Sequence, residues 1–246
     1  MKHIALLLLA TAACSTGGVP NVTTPKHREP KSDAKRYLAK NGWDIKSKSD
    51  IPDIGKVSES GGVIIWDLQG AILDGKNQKG KLDDNESNEP MFRARVPLIV
   101  KNGFATNVKN AMSFFAKDSG VERMTFTQCG EDCVGTAKGR LSSVRAYGFI
   151  IRDSEFIGRL GADKLAQANE AKDARIEGNL FYSNITAIRI GDSDTTEVSD
   201  MAVVKGNRFL GNDTGINASR ITVKESENKY ESVNTPWKAS NGAVKK

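Results

Sequence analysis

Two compact groups of charge stand out in this 246-residue chain: Gly130-Glu131-Asp132 and Asp163-Lys164-Leu165. Adjacent carboxylates suit a hard cation, because calcium takes six to eight oxygen ligands. A lysine beside a further carboxylate adds an amine that serves as a base once its proton is lost. A nearby divalent cation and partial burial lower the pKa of such a lysine, and the adjacent Asp163 raises it. Carboxylates gathered on one wall repel strongly unless a cation joins them. The plain alternatives are a solvated turn at Glu131-Asp132 and an exposed Asp163–Lys164 ion pair worth under about 1 kcal/mol. Histidine chemistry is excluded by placement. His3 lies in an N-terminal leader and His27 in a polar linker, so neither a Ser-His-Asp arrangement nor a zinc site can be assembled.

The charged groups need elements to hold them. Apolar runs flank them at Val121–Phe126 and Phe149–Phe156 and read as short strands, as do Val63–Trp66, Gly70–Leu73, Met91-Phe92 and Val96–Val100. Asp74-Gly75 reads as a turn, and Lys76–Glu89 as a polar loop. An aromatic closes a β run at Phe126, Phe156, Phe181, Phe209 and Tyr230, at intervals of about 21 to 30 residues. Two positions before the last four of these stand Ser154, Asn179, Asn207 and Asn228. Asn adopts tight backbone turns and bonds to its neighbours up and down a stack, so one recurring offset predicts a β-solenoid rather than a sandwich. In such a stack Glu131-Asp132 and Asp163-Lys164 lie one coil apart on the same wall.

Composition sets the outer limits. Hydrophobic residues make up 38%, enough for a narrow core, and the formal net charge is +6. A basic protein suits an acidic polymer, an anionic membrane surface or nucleic acid. No motif combining basic and stacking residues stands out, so nucleic acid is not expected as a partner. Lys2 and His3 followed by the apolar run Ile4–Ala10 and the small residues Thr11-Ala12-Ala13 read as an export signal. The pattern resembles a bacterial lipoprotein signal with Cys14 as the lipidated residue, the alternative being plain secretion. This implies an exported chain, lipid-anchored in the envelope or secreted, that touches the membrane only through the anchor. Removal of the signal takes one basic residue and leaves 35 − 30 = +5. Cys129 and Cys133 then remain, and the oxidising compartment allows a bridge between them, or two packed free thiols.

The expected organisation is a signal over 1–14, a flexible basic tether over 15–52, a solenoid over 53–233 and a loose polar tail over 234–246. One short helix, capped by Asp33 and running from Ala34 to Asn41, is expected inside the tether.

The segments LDGKNQKG, ESNEPMF, TFTQCGEDCVGT, GADKLAQAN and NLFYSNITAIR, taken in order, resemble polysaccharide lyase family three, the class III pectate lyases. The resemblance runs from Val63 to Ser219 and rests on the ordered set rather than on one motif. It implies a right-handed single-stranded parallel β-helix and Ca²⁺-dependent β-elimination of polygalacturonate by a monomer. It also implies Glu86, Glu131, Asp132 and Asp163 as calcium ligands, Lys164 as the catalytic base, and Arg189 as a catalytic-site residue that binds substrate. The chain departs from the family pattern at Ala111, where a ligand Asp is expected beside Asn110, and at Thr186, where a substrate Lys is expected. These departures favour a second reading, a non-catalytic carbohydrate-binding or envelope β-helix. A hydrolase built on paired carboxylates is a third reading, and the Lys beside Asp163 favours elimination over it.

Overall fold

A computed structural model describes residues 25–39, 42–75, 90–108, 110–129, 132–136, 148–158, 164–168, 174–191 and 199–246. The chain opens with β1 (Arg36–Leu38), β2 (Trp43–Ile45), a 3₁₀ turn at Lys48–Asp50, and the hairpin β3 (Lys56–Ser60)–β4 (Val63–Asp67). Next come β5 (Ile72–Asp74), β6 (Phe92–Ala94), the long β7 (Leu98–Val108), β8 (Met112–Phe114), the long β9 (Gly120–Cys129) and β10 (Asp132–Thr136). Three strands then form each coil: β11 (Ile150–Arg152), β12 (Glu155–Ile157) and β13 (Lys164–Ala168), followed by β14 (Ala174–Glu177), β15 (Leu180–Tyr182) and β16 (Thr186–Gly191). The last turns are β17 (Ser199–Lys205), β18 (Arg208–Leu210), β19 (Thr214–Ser219), β20 (Ile221–Ser226), β21 (Lys229–Glu231), β22 (Thr235–Ser240) and β23 (Val244–Lys245).

Among the described residues every strand pairing is parallel except the β3–β4 hairpin. The protein is therefore an all-β parallel solenoid with three faces. Face one is β4, the first halves of β7 and β9, then β11, β14, β17, β20 and β23; face two is β1, β5, the second halves of β7 and β9, then β12, β15, β18 and β21. These two form one 15-stranded sheet because β7 and β9 run through the corner between them. Face three is a separate 8-stranded sheet in the order β2-β6-β8-β10-β13-β16-β19-β22.

Corners and core follow from residue type. The first corner places Asn102, Arg123, Asp153, Gly178, Gly206 and Glu227 at positive φ, one per coil. The next residue turns inward. Ser154 N donates to Asn179 Oδ1 at 2.8 Å, Asn179 N to Asn207 Oδ1 at 3.0 Å, and Asn207 N to Asn228 Oδ1 at 2.8 Å. This is the ladder that the recurring offset predicts. Asn184 N donates to Asn212 Oδ1 at 3.0 Å in a shorter second ladder at the next corner. Between the ladders Phe126, Phe156, Phe181, Phe209 and Tyr230 stack with centroids 5.0, 4.9, 5.2 and 4.7 Å apart. That spacing matches the roughly 4.8 Å between neighbouring strands, so one ring per coil stacks directly on the next. At Gly120, where φ is +152°, an added Cβ would lie 1.8 Å from the Ile150 carbonyl oxygen, so two coils touch backbone to backbone. Outside, face one carries a row of alternating sign, Asp67–Lys101–Glu122–Arg152–Glu177–Lys205. Arg152 sits 3.6 Å from Glu122 and 3.9 Å from Glu177.

Several expectations are corrected. The described residues of 25–52 are not a free tether: β1 and β2 start the stack, and residues 34–39 form no helix. Ala39 and Ile45 are fully buried there, which ties the segment to the core better than its polar composition suggests. Ahead of β1 the chain runs as an extended strap over face two. Arg28 N donates to Glu155 Oε2, and its guanidinium donates to the carbonyls of Met124 and Asp153. Residues 234–246 are not a loose tail either, because β22 and β23 add to faces three and one. Asp74 is the last residue of β5 rather than a turn residue, and its buried carboxylate meets Arg36. The single strand expected over 149–156 is two, β11 and β12, broken at Asp153 where φ is +49°. Among the described residues no helix is long and apolar enough to cross a membrane.

Candidate functional site

Of the residues singled out for catalysis or metal binding, the three that are described, Asp132, Lys164 and Arg189, lie on face three. Asp132 is the first residue of β10 and Lys164 the first of β13, and they are direct register partners. Paired positions on neighbouring strands stand about 4.8 Å apart. The parallel register therefore closes a gap of more than thirty sequence positions to one strand spacing. Glu86, Glu131 and Asp163 lie outside the described residues, as does Cys14. Arg189 is half-buried in β16 and pairs with Gln167 on one side and Asn217 on the other. Gln167 follows Lys164 by three residues, so the Arg189 backbone stands about 11 Å from that of Lys164, one strand across and three rises along.

A disulfide joins Cys129, the last residue of β9, to Cys133 in β10, with Cα atoms 5.7 Å apart. It ties β9 to β10 beside Asp132, so the backbone at that position is held covalently as well as by the sheet.

The two departures from the family pattern sit at the same level. Met112 pairs with Val134, so Asn110 stands two positions before its row as Asp132 does. Asn110 is buried, and its carbonyl accepts a bond from Met91 N at 2.8 Å. Ala111 is fully buried and offers no side-chain oxygen. Thr186 leads β16 and pairs with Thr214. No group of three or more His, Cys, Asp or Glu suited to a metal occurs among the described residues. The donor chemistry of the candidate set is all oxygen, which fits calcium and not zinc.

Face three also shows a feature that reading residues by motif did not find. A single row of register partners runs Asp44, Arg93, Ser113, Gly135, Gln167, Arg189, Asn217, Lys238 down its centre. It lies between two inward rows, one from Phe92 through Ile188 to Trp237 and one from Ala94 through Ile190 to Ala239. Cations stand at Arg93, Arg189 and Lys238, with polar or small residues between, and Arg95 beside the row pairs with Asp44 at 3.2 Å. The signal was present in the sequence as the residue between two apolar ones in each third strand. It could not be aligned across coils whose loops differ in length. Compared with known proteins, the chain matches no protein-family model and no curated protein.

Proposed function

We propose that this chain is a polysaccharide lyase that cleaves polygalacturonate or a related uronate polymer by calcium-assisted β-elimination. The observation that carries the reading is the direct pairing of Asp132 with Lys164 on the face that also bears Arg189. It supports the reading because elimination needs an anion-tuned cation site and a base within reach of one sugar. Asp132, together with Glu86, Glu131 and Asp163, would hold calcium. When bound, the cation supplies charge withdrawal from the uronate carboxylate.

The protein's own residues do the rest. Lys164, in its neutral form, takes the proton from C5, alpha to the carboxylate. The electron pair forms the C4–C5 double bond, the C4–O bond breaks, and the departing sugar oxygen takes a proton from water. Arg189 offers its planar fork to a uronate carboxylate, holding the sugar in register. The central row of Arg93, Arg189 and Lys238 keeps a polyanion against the face. The basic balance of the whole chain favours the same class of partner.

A second reading has its own support. Ala111 and Thr186 occupy the level of the proposed site without a carboxylate or an amine, which suits a β-helix that binds polysaccharide and performs no chemistry. One assay separates the two. Polygalacturonate is incubated with the protein, with and without calcium, and the ultraviolet absorbance of the unsaturated product is followed. The lyase reading expects calcium-dependent absorbance that falls at least about a thousandfold in Lys164→Ala, a loss of roughly 4 kcal/mol. Retained polymer binding with no absorbance in the wild type overturns catalysis and leaves the binding module. New reducing ends without absorbance point to hydrolysis.

A further inference from the structure

The strap and the first corner enclose a cavity of roughly 650 Å³. The strap is pinned at both ends. Below, Arg28 is held by Glu155, Met124 and Asp153. Above, the Lys35 carbonyl accepts from Ile72 N at 2.8 Å. Between these anchors it bulges away from the sheet in a turn closed by Ala34 N and the Lys31 carbonyl at 3.0 Å. Underneath lies Phe104, the register partner of Ile72 one coil up and of Thr125 one coil down. Ile72 and Thr125 are buried, and Phe104 stays half-open beneath the bulge. The floor is thus an aromatic ring, extended by Leu68 and Ala71.

The rim is charged. Lys31, Lys35 and Arg123 line the opening, and among the described residues none of the three has an ion-pair partner. Arg123 Nε donates to Asn102 Oδ1 at 2.8 Å, which leaves its terminal nitrogens for another acceptor. Of the two acids at the rim, Glu29 is engaged by His27 at 2.8 Å, and Asp33 projects at the tip of the turn. The balance is cationic. A volume of this size is that of a small-molecule site with an apolar floor and a few polar groups that set orientation.

We propose that this cavity binds a small organic anion with a flat apolar face, the chemistry shared by a uronate oligosaccharide and an aromatic carboxylate. The apolar face lies on Phe104 and the carboxylate meets Lys31, Lys35 and Arg123. The site lies at the corner of faces one and two, away from face three, and does not depend on the elimination reading.

The test is calorimetric titration in the presence of a calcium chelator, so that no turnover occurs. Trigalacturonate, benzoate and inorganic phosphate are titrated separately into the wild type, Lys31→Glu/Lys35→Glu, Phe104→Leu and Lys164→Ala. The lysines are exposed and the double variant is expected to fold, which circular dichroism checks. Expected is binding of trigalacturonate or benzoate that weakens at least tenfold in the double charge reversal. It weakens at least threefold in Phe104→Leu and is unchanged in Lys164→Ala. Preference for trigalacturonate over benzoate identifies the sugar as the source, and the reverse identifies the aromatic acid. Binding unaltered by the charge reversal, or lost in Lys164→Ala, overturns the proposal, as does the absence of millimolar binding for every probe. Phosphate binding as tightly as either carboxylate also overturns it, because the cations alone would then account for affinity. A lyase inactive in Lys164→Ala with this binding intact separates the two sites.

Discussion

Glu225 departs from its surroundings. It pairs with the buried Val204, so a carboxylate occupies a position that is apolar one coil earlier. Tyr230 Oη donates to Glu225 Oε1 at 2.6 Å, and Lys245 Nζ stands 2.7 Å from Oε2. The three groups close the bottom of the core, where the aromatic stack ends. Burial first, and then the bond to Glu225, push the Tyr230 phenol well above its ordinary value near 10. A raised pKa means that folding retains the proton, so this contribution is full below about pH 10 and is lost as pH rises beyond it. Tyr230→Phe is expected to be less stable than the wild type at pH 8 by about 1.5–3 kcal/mol, the worth of a hydrogen bond to a charged group. Thermal melts from pH 8 to 12 should show the gap narrowing above pH 10, and a constant gap would refute the coupling. None of this was legible in the sequence. ITVKESENKY shows Glu225 as one acid among several polar residues, and only the register reveals that it points inward.

At the scale of elements, the two features that set the coil were unequal in visibility. The Asn ladder was legible, because a side chain that must turn the backbone and bond up the stack recurs at one offset from a core aromatic. Asn207 shows how much rests on each rung. Its amide donates to the Ile176 carbonyl at 2.8 Å and to Asn228 Oδ1 at 3.0 Å, while its oxygen accepts from both Asn179 nitrogens. Asn207→Ala strands these partners in a dry interior and is expected to cost about 3–4 kcal/mol. Asn228→Ala, at the partly open end, should cost less than half as much by urea denaturation, and equal costs would disprove the stacked network. The corners were not legible. Arg123 and Gln128 adopt positive φ without the short polar side chains that announce it, held there by the strands on either side. The Cys129–Cys133 pairing was open in the sequence because two thiols four residues apart bridge only across a bend. Closing so short a loop removes little chain entropy, about 2 kcal/mol. Reductant should therefore lower the melting temperature by several degrees, and under the proposed lyase reading polygalacturonate elimination should fall further. Activity untouched by reduction would show that the clasp does not position Asp132.

For the whole molecule, polar composition misled at both ends and guided correctly in the middle. The segments over 25–52 and 234–246 carry many lysines and few large apolar residues, which read as linker and tail. Among the described residues they supply the strap and the terminal strands of the stack, where exposed charge is the natural surface. The candidate site was legible as two charged groups one coil apart, and their pairing at Asp132 and Lys164 follows from the stacking itself. The cavity under the strap could not be anticipated, because it arises from a crossing of segments about a hundred positions apart that share no motif.

That crossing also decides how the molecule resists being pulled. A solenoid gripped at its end normally peels, since the outermost coil yields before its neighbour feels the load. Here a tug on Pro25 reaches Arg28 first, and Arg28 is moored to Met124, Asp153 and Glu155, several turns inside the stack. Force from the N-terminal side therefore enters the interior of the protein, and the first coils are bypassed until that mooring gives way.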